Sequence, residues 1–303
     1  MSRIKRAFPV RVGKRYLDNR GPNWATLVAW NGLFALFPIV LIMLTVLGAV
    51  LQDPNISGAI RSTVENALPS KAGHDDILRA LNGLPDKTGI FAVAGFAGLL
   101  WSGSALFGAM EQGLCALYGC KPRGFIRGKL MAFGMILVFT ALAVPLVLSG
   151  ALLPALQSLN FVPGFFTSGP AALILQVAAG VLDGTLIFLA IYLIVPNRKQ
   201  RFRRVLPGAL AAGVLLEGFT MLFPAYVRYA GGFTTYGATF ALFFLLMTYM
   251  FVLGQITMLG GAVSAEAEAS RDATILAQRM DPPAITVPGK AQRERSVVQD
   301  PAN

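Results

Sequence analysis

Apolar residues along this chain gather into long runs, and polar residues are largely confined to the gaps between them. A helix that crosses a bilayer needs about 20 consecutive, mostly apolar residues. Six stretches meet that length: about Ala25 to Leu51, Gly89 to Tyr118, Lys129 to Leu153, Ala171 to Val195, Val205 to Val227 and Tyr236 to Val263. In hydrocarbon every backbone N–H and C=O must find a protein partner, so helices and closed barrels are the only spanning structures. The runs lack the ~10-residue alternation of barrel strands. The pattern predicts an all-α, polytopic membrane helix bundle with about six transmembrane helices.

The remaining sequence divides around that bundle. Residues 1–24 form a basic N-terminal segment, residues 25–268 the six-span membrane domain, and residues 269–303 a polar tail rich in Pro and Gln. The tail has no periodicity, and its composition predicts disorder. Within the membrane domain, residues 52–88 are the one sizeable hydrophilic insertion. Ile56, Ile60, Val64 and Leu68 recur there at helical spacing, as do Ile77, Leu78, Leu81 and Leu84. Pro69 to Gly73 separate the two patterns, so a short helical hairpin on the outer membrane face is expected. The first apolar run exceeds the 7–15 residues of a signal-peptide core and reads as a retained span.

Charge orients the bundle. Arg3, Lys5, Arg6, Arg11, Lys14, Arg15 and Arg20 precede the first span. Lys121, Arg123, Arg127 and Lys129 follow the second, and Arg198, Lys199, Arg201, Arg203 and Arg204 follow the fourth. On the alternate side, Pro154 to Pro170 carries no charge and Ala225 to Thr235 carries only Arg228. Basic loops stay in the cytoplasm. Both termini and these two loops are therefore expected on the cytoplasmic side of the membrane.

Composition changes the picture little. The chain is 55% hydrophobic and 14% charged, with mean hydropathy +0.61, whereas soluble domains carry about 25% charged residues. A net charge of +11 would suit nucleic acid, but its placement in topology-setting loops argues against that partner. Two cysteines, Cys115 and Cys120, and one histidine, His74, exclude a disulfide scaffold and leave too few ligands for a zinc site. His74 beside Asp75 and Asp76 has no further support as a metal or acid–base site. No phosphate-binding loop, nucleophile elbow or metalloprotease motif is present. No cofactor or metal is expected.

Three acids fall inside predicted spans: Asp183, Glu217 and Glu111. A charge there costs roughly 2.5–3.5 kcal/mol on insertion scales, so it faces a partner or a water-filled cavity. One reading is a polar translocation path through Asp183 and Glu217, with Glu111 and Gln176 as further candidates. The other has neighbours such as Gln176, Thr185 and Thr220 satisfying the acids as interhelical glue. For Glu111, close to Lys121 and Arg123, a plain ion pair is expected. Small residues recur every four positions at Ala94, Gly98 and Ser102, at Ala105, Ala109 and Gly113, and at Ala209 and Gly213 before Glu217. Such stripes let helices approach closely. Pro145 and Pro224 can kink their spans. The stretch from Gly231 to Gly237 reads as a turn, with Tyr229 and Tyr236 in an interfacial aromatic belt.

Three stretches together resemble the YihY/virulence factor BrkB family of bacterial inner-membrane proteins, long mislabelled ribonuclease BN. They are Ala29 to Pro38; Leu106-Phe107 through Leu114, Tyr118-Gly119 and Arg123-Gly124-Phe125 to Leu130; and Pro196 with the basic loop, Pro207-Gly208-Ala209, Tyr236-Gly237-Ala238 and Leu259-Gly260-Gly261-Ala262. The likeness covers about Arg15 to Glu268. Cys115 stands where the family commonly has Asn, Val263 where an acid is usual, and Ala35 where Ser is usual. The resemblance implies six spans and a role in the cell envelope. The leading expectation is a non-enzymatic transporter or flippase-like protein for a lipid or other amphiphile, with membrane lipids and envelope proteins as partners. The rival is a non-transporting scaffold or assembly factor. A ribonuclease would need a convergent catalytic set, which the sequence does not supply.

Overall fold

The computed structural model describes residues 7–52, 74–157, 170–229 and 238–280. Among the described residues all regular structure is helical: α1 (Phe8–Asp18), α2 (Gly21–Val50), α3 (His74–Tyr118), α4 (Phe125–Gln157), α5 (Pro170–Ile194), α6 (Phe202–Tyr229) and α7 (Ala238–Met280). Helices α2 to α7 each contain a stretch long and apolar enough to cross a bilayer. They coincide with the six expected spans, and the helix runs through Pro145 and Pro224 without ending.

Three boundaries differ from expectation, each for a local reason. The basic N-terminal segment contains α1, whose Val12 and Tyr16 are buried one turn apart on a single face. Arg20, at φ 55°, breaks the chain between α1 and α2, and a side chain at Gly21 would collide with the Tyr16 ring. At the other end of the chain, α7 continues to Met280, through the first residues of the segment expected to be disordered. Ala269, Arg271, Ala273, Leu276, Ala277 and Gln278 are strong helix formers, and they carry the helix onward without an apolar stripe. Residues 281–303 lie outside the described residues. The second arm of the expected outer-face hairpin is helical but continuous with its span, since α3 begins at His74. The first arm lies outside the described residues, as does the Gly231 to Gly237 turn.

The chain forms two units, Met1–Glu266 and Ala267–Asn303. In the first, small residues set the closest helix crossings. A Cβ at Gly208 of α6 would collide with Ser264 Oγ and the Gly260 carbonyl of α7, and one at Gly260 would collide with Tyr192 of α5. The Pro207-Gly208-Ala209 and Leu259-Gly260-Gly261 stretches, far apart in sequence, are thus two sides of one contact. Gly98 of the α3 stripe packs on Pro38 of α2, and Gly113 on Trp24 and Met258.

Candidate functional site

One end of the first unit gathers the basic connections into a polar cap. Helix ends leave carbonyls without intrahelical partners, and arginine presents donors in a planar fork. Arg123 uses both facts. Its Nη1 reaches Glu111 Oε1 at 3.0 Å and also donates to the Val195 carbonyl, while Nη2 donates to the carbonyls of Ile194 and Pro196 at 3.1 and 3.3 Å. The Arg123 backbone N–H donates to the same Glu111 oxygen at 2.8 Å. Glu111 is buried, 3% exposed. One guanidinium therefore closes the C-terminal end of α5 and neutralises the acid of α3. The ion pair expected for Glu111 is present, with Arg123 as its cation.

The cap extends to the N-terminal helix. Arg11 and Arg15 both pair with Glu266 of α7, at 3.2 and 2.9 Å, and Arg15 also donates to the Leu117 carbonyl. Tyr16 donates to Gln255, and burial pushes its phenol up from the ordinary value near 10. Asn197 donates to the Lys121 carbonyl at 3.0 Å, and Arg198 to that of Tyr118. The N-terminal helix, both basic connections and Glu266 thus share one end, as an even number of passes requires. Lys121, Arg127, Lys199, Arg201 and Arg203 are exposed around this cap, and Arg204 is half-buried.

At the same end, Cys115 and Cys120 form a disulfide around the α3 terminus, with Gly119 at φ +69° ending the helix. This bridge was not anticipated from two cysteines. It closes a loop of a few residues and is no scaffold, so the terminus gains a local staple. A reducing compartment would hold two adjacent thiols in the same place.

The mid-span acids sit elsewhere, on the α5–α6 seam. Gly184 and Gly213 meet there, with a Cβ on Gly184 only 3.1 Å from the Gly213 Cα, and Glu217 packs directly on Gly180. Glu217 and Asp183 are both half-buried, and Asp183 has interactions of its own. Gln176, the other candidate, is exposed. The hydroxyls of Thr185 and Thr220 donate to their own helix, to the carbonyls of Val181 and Leu216 at 2.6 and 2.9 Å. Their protons are therefore committed away from the acids. Among the described residues, no cluster of three His, Cys, Asp or Glu side chains could hold a metal.

Between the cap and that seam lies a feature without a sequence signal, a cavity of ≈ 600 Å³. All six spanning helices contribute to its wall, which is almost wholly aliphatic and aromatic: Gly32 and Ala35, Gly103 and Phe107, Ile136 and Phe139, Ile187 and Phe188, Leu216, and Met250 and Leu253. Its volume falls in the range of ligand sites, about 300–1,000 Å³. Two lining residues, Ile39 and Thr140, are also exposed, so the cavity communicates with the lipid-facing surface. None of Glu111, Asp183, Glu217 and Gln176 lines it. However, Asp183 precedes Ile187 by one helical turn on one face, and Glu217 adjoins Leu216.

Six apolar spans, a basic cap at one end and an apolar interhelical cavity define a polytopic α-helical membrane protein. The chain belongs to the virulence factor BrkB family, whose model matches residues 12–284. It is 27% identical over 278 residues to the ribonuclease-like protein YfkH of Bacillus subtilis, covering 88% of this chain and 94% of the relative. It is 25% identical over 269 residues to a UPF0761 membrane protein of Aliivibrio salmonicida, covering 87% and 84% of the two chains. A UPF0761 membrane protein of Vibrio vulnificus is 23% identical over 241 residues, covering 78% and 75%. No solved structure matches the chain.

Proposed function

We propose that this protein resides in the bacterial inner membrane with both termini cytoplasmic, and moves a lipid or other amphiphile without a cofactor or ATPase of its own. The observation that carries this reading is the ≈ 600 Å³ apolar cavity open toward lipid. In a bilayer, a void of that size forfeits dispersion contacts unless a hydrocarbon chain fills it. In this reading Asp183, one turn beyond the wall residue Ile187, and Glu217, next to the wall residue Leu216, supply polar groups for the passage of a headgroup.

The test is lipid movement in proteoliposomes, read by dithionite quenching of a fluorescent phospholipid. The wild-type chain is expected to accelerate exchange between leaflets. Ala35→Phe, which fills the cavity, is expected to lower that rate at least tenfold, as are Asp183→Asn and Glu217→Gln together. A rate equal to protein-free liposomes overturns the proposal, whereas an unaffected acid double variant removes only those two residues from the mechanism.

The packing of Glu217 on Gly180 favours a second reading, a non-transporting scaffold or assembly factor. It predicts that the acid substitutions are silent in cells while removal of residues 52–88 abolishes the phenotype. A ribonuclease draws on the name of the Bacillus relative alone. Asp183 and Glu217 stand within apolar spans, where RNA and hydrated Mg²⁺ do not readily reach.

A further inference from the structure

Lys129, near the start of α4, behaves unlike the other cations of its loop. Its ammonium donates to Ser104 Oγ on α3 and lies 5.4 Å from the Trp101 ring and 5.5 Å from the Phe125 ring. Among the described residues no carboxylate pairs with it. Ser104 stands roughly 20 Å along the helix axis from the α3 terminus at Tyr118, at 1.5 Å per residue. The side chain is thus held by Ser104 and two aromatic rings. Its surroundings are the lipid-facing surface: Trp101 and Phe125 are 78% and 81% exposed, and Ile126 and Leu130 are bare beside them. A cation on an apolar, lipid-facing surface is well placed to pair with an anion. Basic pockets between spanning helices are suited to lipid headgroups.

The apolar cavity lies farther along the same two helices. Ser104 adjoins Gly103, which lines the cavity, and Lys129 precedes Ile136 of the same wall by two turns of α4. The geometry points to a binding site for an anionic glycerophospholipid, its phosphate held by Lys129 Nζ and Ser104 Oγ and one acyl chain in the cavity. This inference rests on the amphiphile reading above and names its ligand class. The cavity accepts the acyl chain of an anionic or a zwitterionic lipid alike, so it supplies no preference between headgroups. Selectivity must then come from the phosphate and its net charge. Zwitterionic lipids present the same phosphate beside a cation that Lys129 repels.

Native mass spectrometry of the full chain, with phosphatidylglycerol and phosphatidylcholine of identical chains, tests this directly. Phosphatidylglycerol is expected to be retained at least tenfold better. Lys129→Ala is expected to abolish that preference and Lys129→Arg to keep it, while Ala35→Phe lowers retention of both lipids. Lys129 is exposed, so its substitution does not threaten the fold. Equal retention by the wild type, or an undiminished preference in Lys129→Ala, overturns the site. The preference without lipid movement in proteoliposomes sinks the transport proposal alone, and lipid movement without the preference sinks this one alone.

Discussion

Arg123 shows how much one side chain decides at the polar cap. Its partner Glu111 is only 4% exposed at the side chain, and three carbonyls at the end of α5 share the same guanidinium. Removing one member of a buried pair strands the other charge, a cost of about 3–5 kcal/mol. Arg123→Ala is therefore expected to lower the unfolding free energy in detergent by that order. Arg123→Lys keeps the charge but loses the fork, and is expected to recover only part of it. The ion pair was legible in sequence because acid and base lie near each other along the chain. The contact of the same arginine with residues 194–196 was not, because sequence distance hides partners brought together by antiparallel packing. The pairing of Glu266 with Arg11 and Arg15 escaped for the same reason.

Among elements, the α6–α7 crossing depends on the absence of side chains. A Cβ at Gly208 meets the backbone carbonyl of Gly260, which cannot rotate away. Overpacking a tight contact typically costs 1–3 kcal/mol through flexible side chains, and more is expected against backbone. Gly208→Val is expected to abolish recovery of folded protein from membranes, read as a lost monodisperse peak in size-exclusion chromatography. Gly218→Ala, on the same helix with nothing within 4 Å, is expected to be neutral. Small-residue stripes announced close helix contacts in general. They did not reveal which helix each stripe would meet, since every stripe can serve any partner of suitable geometry. The α1 helix was readable in hindsight from Val12 and Tyr16 one turn apart, a short pattern outweighed by the surrounding basic residues.

For the whole molecule, the prediction concerns the direction of insertion. The N-terminal helix, the two basic connections and Glu266 gather at one end, and the retention of basic loops in the cytoplasm supports the proposal that this end faces inward. Residue 160 falls between α4 and α5 in the sequence, outside the described residues. In a chain carrying Cys115→Ala and Cys120→Ala, a cysteine at Asn160 is expected to react with a membrane-impermeant maleimide from the periplasmic side. Reaction only after the inner membrane is opened would reverse the orientation and with it the direction of any lipid movement.

Long apolar runs and the placement of Lys and Arg were enough to determine the number of spans and the expected topology. Both follow from local composition: lipid demands about 20 apolar residues per pass, and charge resists translocation. The cavity, the Lys129–Ser104 contact and the position of the acids on the α5–α6 seam were decided only in three dimensions. A cavity has no residues of its own. It is the space left where six helices with interchangeable apolar faces fail to meet, and hydrophobicity along the chain reads the same whether a face touches protein, lipid or a void.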